Sequence, residues 1–128
     1  MKINLFIISL LFSIILTTNQ SAKELLIYAD TIDYDSKKTL IAKGNVKLIS
    51  GNEILTSNLV IVKEDENIIL LPNEFHFKDA DKNNYYGSSG EFTTNFENAT
   101  INDLKLLLND GSRIVGKKAY KRGSLDLI

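Results

Sequence analysis

From Leu25 to Val115 the chain alternates apolar and polar residues with a period of two, the pattern of strands with one face buried. Leu25–Tyr34 is rich in β-branched and aromatic residues and ends in the polar turn Asp35-Ser36-Lys37-Lys38. Thr39–Ser50 follows, with Leu40, Ala42, Gly44, Val46 and Leu48 on one face and Thr39, Lys43, Asn45 and Lys47 on the other. Gly51-Asn52 predicts a tight hairpin into Ile54–Lys63, where Val60 and Val62 share a face. Glu64-Asp65-Glu66-Asn67 turns into Ile68–Lys78, with Phe75 and Phe77 together. After a polar loop, Asp79–Asn84, the segments Tyr85–Thr94 and Ala99–Leu108 predict another hairpin closed by Asn95–Asn98. Asn109-Asp110-Gly111 then leads into Ser112–Val115. The longest helix candidate, Ala99–Leu108, also fits a helical face through Leu104, Leu107 and Leu108, and its flanking turns favour a strand. The prediction is an all-β fold of about eight to ten antiparallel strands.

The pattern repeats. Ala29–Tyr34 aligns with Ser57–Val62 and, more loosely, with Ser89–Thr94, while Gly44–Leu48 aligns with Asn73–Phe77. The unit is a two-strand hairpin of about thirty residues, a period found in stacked repeat architectures. One hairpin cannot bury its own apolar face, so each must stack on its neighbours. Apolar residues also occur on the opposite parity, at Ile41, Ile49, Leu59, Ile61, Ile69 and Leu71. Either strands bulge and change face, or the outer face is partly covered.

With 128 residues the chain is at most one domain, and a net charge of −1 provides no basic field for nucleic acid. Lys117, Lys118, Lys121 and Arg122 cluster late and read as a solvated terminal segment. No cysteine is present, which excludes disulfides, a Cys-linked lipid anchor and thiolate metal sites. Residues 1–22 read as a secretory signal peptide: Lys2, an apolar run from Ile3 to Leu16, then small polar residues to Ala22. The run is short for an uncleaved anchor, which needs about 20 apolar residues. The domain from Lys23 onward is thus expected outside the cytoplasm.

Catalytic chemistry finds no support. His76, the single histidine, lies between Phe75 and Phe77 on the opposite face, with no nucleophile placed for it. Asp30, Asp33 and Asp35 lack the glycine and closing glutamate of a calcium loop and read as turn and strand-edge carboxylates. Gly87-Ser88-Ser89-Gly90 lacks the lysine and helix of a phosphate loop, and Asn98-Ala99-Thr100 is a formal glycosylation sequon. The expectation is no enzyme, no cofactor and no metal.

The stretch "ADTIDYDSKKTLIAKGNVKL" resembles the OstA-like domain of lipopolysaccharide-transport proteins, through Ala29, Asp30, Ile32, Tyr34, Leu40, Ala42, Gly44, Asn45 and Val46. The likeness runs from Leu26 to about Arg122, giving a domain at 23–122 and a tail at 123–128. LptA, LptC and LptD share this domain, and Gly90–Arg122 is most similar to the LptD N-terminal type. By that resemblance the chain is the start of an LptD-like protein without its barrel, or a free-standing LptA-like bridge protein. The family's fold is an open, V-shaped β-jellyroll whose inner walls hold the acyl chains of lipid A, with no chemistry done on the ligand. The resemblance implies a periplasmic location, associated with the outer membrane if the chain is part of a longer LptD-like protein. It also implies lipid contact at Ile32, Tyr34, Val46, Leu48, Val60, Phe75, Phe77 and Leu106. An LptA-like bridge protein would dock by strand addition on the edge Leu25, Leu26, Ile27, Tyr28 and Ala29. Periodicity alone favours core packing over ligand lining, and the alternative reading is a structural β-repeat that binds protein edges and no lipid.

Overall fold

The computed structural model describes residues 24–35 and 37–123, so the expected signal peptide and residues 124–128 lie outside the described residues. Ten strands follow one another: β1 (Leu25–Tyr28), β2 (Thr31–Tyr34), β3 (Thr39–Ser50), β4 (Glu53–Lys63), β5 (Ile68–Leu71), β6 (Phe75–Lys78), β7 (Asn84–Gly87), β8 (Ser89–Thr93), β9 (Asn98–Leu107) and β10 (Arg113–Arg122). A 3-10 turn, Glu64–Glu66, joins β4 to β5 and ends at Asn67 in the left-handed region. All ten strands belong to one antiparallel sheet, in the order β1-β3-β4-β5-β8-β9-β7-β6, with β2 on β3, β10 on β9 and a further β4–β6 pairing.

The long strands each serve two partners in succession. Residues 59–63 of β4 pair 39–43 of β3 and lead on to β5, whereas 53–57 pair 46–50 of β3 and lead on to β6. Likewise 98–102 of β9 join β8 to 118–122 of β10, and 104–107 join β7 to 113–116. The sheet is therefore folded along a crease into two walls. The first wall runs β2, β3, β4, β5, β8, β9, β10. The second runs β1, β3, β4, β6, β7, β9, β10.

The crease passes through residues 29–30, 44–45, 58, 72–74, 88, 103 and 117, and local chemistry marks several of the crossings. Gly44 and Asn45 have φ of 82° and 49°, and the β3–β4 register shifts there by one residue, the mark of a bulge. Pro72 stands between β5 and β6, where a residue without an N–H ends the ladder. Asp103 has φ 54°, and its carboxylate accepts from the Ser88 hydroxyl at 2.7 Å where β7 passes into β8. On β4 and β9 the inward set slips by one position across the crease, from Leu55 to Val60 and Val62, and from Ala99 and Ile101 to Leu104 and Leu106.

Three expected strands are thereby split. Leu25–Tyr34 divides at Ala29-Asp30, Ile68–Lys78 at Pro72–Glu74, and Tyr85–Thr94 at Ser88, because each crosses the crease. The last strand is longer than expected: it continues past Val115 to Arg122 on β9. The late basic cluster is consequently part of the sheet, and Lys121 is buried rather than solvated. The repeat alignment acquires a physical meaning. Its first set of copies starts at the crease and enters the first wall as β2, β4 and β8, and its second set enters the second wall as β3 and β6.

Candidate functional site

The space between the walls is filled from both sides by side chains at alternate positions. Ala42, Val60, Val62, Ile69, Leu71, Phe92, Ala99 and Ile101 come from the first wall, and Val46, Leu48, Leu55, Phe75, Phe77, Tyr85, Leu104 and Leu106 from the second, in one buried cluster. Its centre is aromatic. The Phe77 ring lies 5.4 Å from Tyr85, 5.0 Å from Phe92 and 5.3 Å from Phe96, and Phe75 meets Phe92 edge-on at 5.6 Å. Tilted and edge-to-face pairs of this kind add to the burial term.

Six of the eight expected lipid-contact residues, Val46, Leu48, Val60, Phe75, Phe77 and Leu106, sit together in this cluster. Ile32 and Tyr34 do not: they are 46% and 56% exposed. Register still places them on the inner face, since Ile32 pairs with buried Ala42 and Tyr34 with half-buried Leu40. They carry the inner surface out to the open end at β2. The Tyr34 hydroxyl donates to Glu64 at 3.0 Å, and this bond holds its pKa above the ordinary value. Phe75 adjoins the crease, where open grooves of about 480 Å3 (from Asn45 to His76) and 320 Å3 (from Glu74 to Lys105) flank it.

The buried polar side chains of Asp79, Asn83 and Lys121 are tied down. Asp79 accepts from the N–H groups of Asp81 and Asn83 (2.9 Å each), from the Asn83 amide (3.1 Å) and from the Tyr85 hydroxyl (3.2 Å). Burial first, and then the Asp79 charge, push the Tyr85 hydroxyl well above its ordinary pKa. Lys121 donates to the carbonyls of Phe96 (2.9 Å), Glu97 (3.2 Å) and Gly123, with Nζ 5.8 Å from the Phe77 centroid. Sequence reasoning missed Lys121, although its two-residue spacing from Ala119 puts both on the inward face of β10. His76 stacks on Tyr86 at 4.7 Å and bonds Asn84 at 2.7 Å on the outer face of the second wall.

Of the expected docking residues Leu25–Ala29, Leu25–Tyr28 form β1, which among the described residues pairs with β3 alone. Leu25, Ile27 and Ala29 pack against the core, and Leu26 and Tyr28 face solvent. Asp30 secures the start of β2. Its N–H donates to the Gly44 carbonyl at 2.8 Å and its carboxylate accepts from the Asn45 amide at 3.1 Å. Of the other acidic positions singled out in the sequence, Asp35 accepts from the N–H groups of Lys37 and Thr39. No grouping of three or more metal-ligating side chains occurs among the described residues.

Residues 26–122 match the family model described as LptA/(LptD N-terminal domain) LPS transport protein. No curated protein matches the chain in sequence. Among solved structures, the chain is similar to LptH, the LptA-homologous periplasmic component of the conserved lipopolysaccharide transport device from Pseudomonas aeruginosa. The TM-score is 0.73 at 18% identity, over 83% of this chain and 81% of that one. At that identity the likeness establishes a shared fold.

Proposed function

The chain belongs to the LptA and LptD N-terminal-domain family of lipopolysaccharide transport proteins, and from that premise we propose that it carries lipid A acyl chains between its two walls without altering them. The observation that supports this reading is the inner surface. It is apolar along the stack and ends in exposed apolar groups at Ile32 and Tyr34 on one side and Ile114 on the other. A closed globular core has no reason to run out to both open edges of its sheet. Sliding the walls apart along the crease exposes Phe75, Phe77, Val46 and Leu48 to an acyl chain. Burying apolar surface contributes about 25 cal/mol per Å2, so an acyl chain needs no polar anchor inside. Sugars and phosphates remain in water.

The domain works in the periplasm, delivered there by the segment 1–22, either as the N-terminal part of an LptD-like protein or as a bridge protein. Its β1 edge, residues Leu25–Ala29, receives a strand from an LptA-like partner. Unpaired N–H and C=O groups on an edge strand make that addition favourable.

Photocrosslinking tests the lipid reading. A photoreactive residue at Val46 or Phe75 is expected to capture lipopolysaccharide, and one at Lys47, which points outward, is not. Equal labelling at all three positions would sink the sided trough and leave the inner residues as a plain core.

A further inference from the structure

The outward face of the second wall differs in kind from the outward face of the first. Cross-strand register lines its residues up in two rows. One runs Tyr28, Lys47, Thr56, His76, Tyr86, Lys105, Val115. The other runs Leu26, Ile49, Ile54, Lys78, Asn84, Leu107, Arg113. These fourteen positions hold four cations and no carboxylate. Acidic groups border this face only at the crease or beyond the strand ends, at Glu24, Glu74, Asp81, Asp103 and Asp110. The first wall carries Asp33 and Glu91 among its outward cations.

Between the cations stand large exposed apolar groups: Val115 at 77%, Tyr28 at 55% and Tyr86 at 43%. A charge-only contact does not need them, and a water-facing surface disfavours them in such number. Tyrosine with lysine and arginine is the mixture suited to a lipid–water interface. The ring sits at headgroup depth, and the cation pairs with phosphate while its aliphatic stem lies among the chains. Charge, side-chain type and the two-row sheet surface agree on one occupant.

We propose that the outward face of the second wall lies against an anionic phospholipid bilayer, with Lys47, Lys78, Lys105 and Arg113 over the phosphates and Tyr28, Tyr86 and Val115 entering the headgroup layer. This is separate from the inner surface and stands whether or not acyl chains travel between the walls.

The test is vesicle sedimentation of the full chain, in which the apolar segment 3–16 contributes equally to every arm. Vesicles of phosphatidylglycerol in phosphatidylcholine are compared with phosphatidylcholine alone. Tighter binding to the anionic vesicles is expected, weakened about thirtyfold in Lys78→Gln/Lys105→Gln, at about fivefold per cation. The pair Lys43→Gln/Lys63→Gln on the first wall removes the same charge and should change binding less than about twofold. Far-UV circular dichroism confirms that both pairs fold. Equal loss in the two pairs, or no preference for anionic vesicles, overturns the proposal. An acidic protein as the true occupant would give that second result. Displacement by millimolar glycerol phosphate would indicate a pocket for a free phosphate, and overturns it as well.

Discussion

Replacing Gly44 by alanine tests whether the crease is pinned by Asp30 against the bulge of β3. Two costs are expected. Gly44 has φ +82°, and an L-residue in the left-handed region costs about 1–2 kcal/mol. A Cβ there would also lie 2.5 Å from Asp30 Oδ2 and 3.0 Å from Asp30 Cβ and Cγ. The aspartate must then move and give up the Asn45 amide, an exposed hydrogen bond worth about 1 kcal/mol. Gly44→Ala should therefore destabilise by about 2–3 kcal/mol. Asp30→Ala alone loses only the hydrogen bond, about 1 kcal/mol. In the double variant the clash is gone and the hydrogen bond cannot be lost twice, so the total stays near about 2–3 kcal/mol and the coupling is about 1 kcal/mol. Urea unfolding followed by circular dichroism gives the midpoint and slope for the four proteins. If the two substitutions add to within about 0.3 kcal/mol, Asp30 does not hold the bulge and the reasoning fails.

Gly87→Ala should cost about 1–3 kcal/mol by overpacking, because its Cβ would lie 2.6 Å from the Phe75 ring and 2.8 Å from Ile101 Cγ2. Phe75→Leu in the same chain should recover part of that loss, and an unchanged urea midpoint for Gly87→Ala would show that the corner is loose. Tyr85 keeps its proton in the fold to higher pH than in the unfolded chain, so the unfolded chain loses a proton first, from about pH 10. Stability should then fall as pH rises through about 10, by up to about 1.4 kcal/mol per unit, and Tyr85→Phe should flatten that limb of the denaturation curve. Ile27→Pro should weaken binding of an LptA-like partner yet leave the fold intact. The Asp30 N–H faces β3, so by alternation the Ile27 N–H faces away from it. Binding as tight as wild type by titration calorimetry would remove β1 from the junction.

Period-two alternation was enough to locate β3 to the residue and β4 and β9 to within one, since long strands with one buried face carry a strong local signal. It could not show the breaks at Ala29-Asp30 and Ser88, because a strand that changes walls keeps its β-propensity while its hydrogen-bond partners change. Pro72 was the one visible warning and stood inside an expected strand. The inner surface was legible because Val46, Leu48, Phe75 and Phe77 share parity within their own strands. What covers them from across the gap is long-range pairing, which no local window contains. Lys121 was lost for a related reason. A buried lysine is rare unless its charge is met, and the carbonyls that meet it belong to the turn at Phe96 and Glu97, some 25 residues upstream.

The crease has a consequence for how such a chain can change in length. The long strands β3, β4, β9 and β10 each cross it once and so contribute to both walls. Seven strand positions per wall, spaced about 4.8 Å apart, give a stack about 29 Å long. Duplicating one hairpin adds two positions, about 10 Å. Residues at the crease are the ones such a duplication must copy faithfully, since they carry the chain from one wall to the other. The turns at Gly51-Asn52 and Asp110 lie at the outer rims and hold no core side chain, whereas the turn at Asn95 supplies Phe96 to the core. Length is thus a quantity this architecture can adjust in whole steps, by recombination within its own sequence.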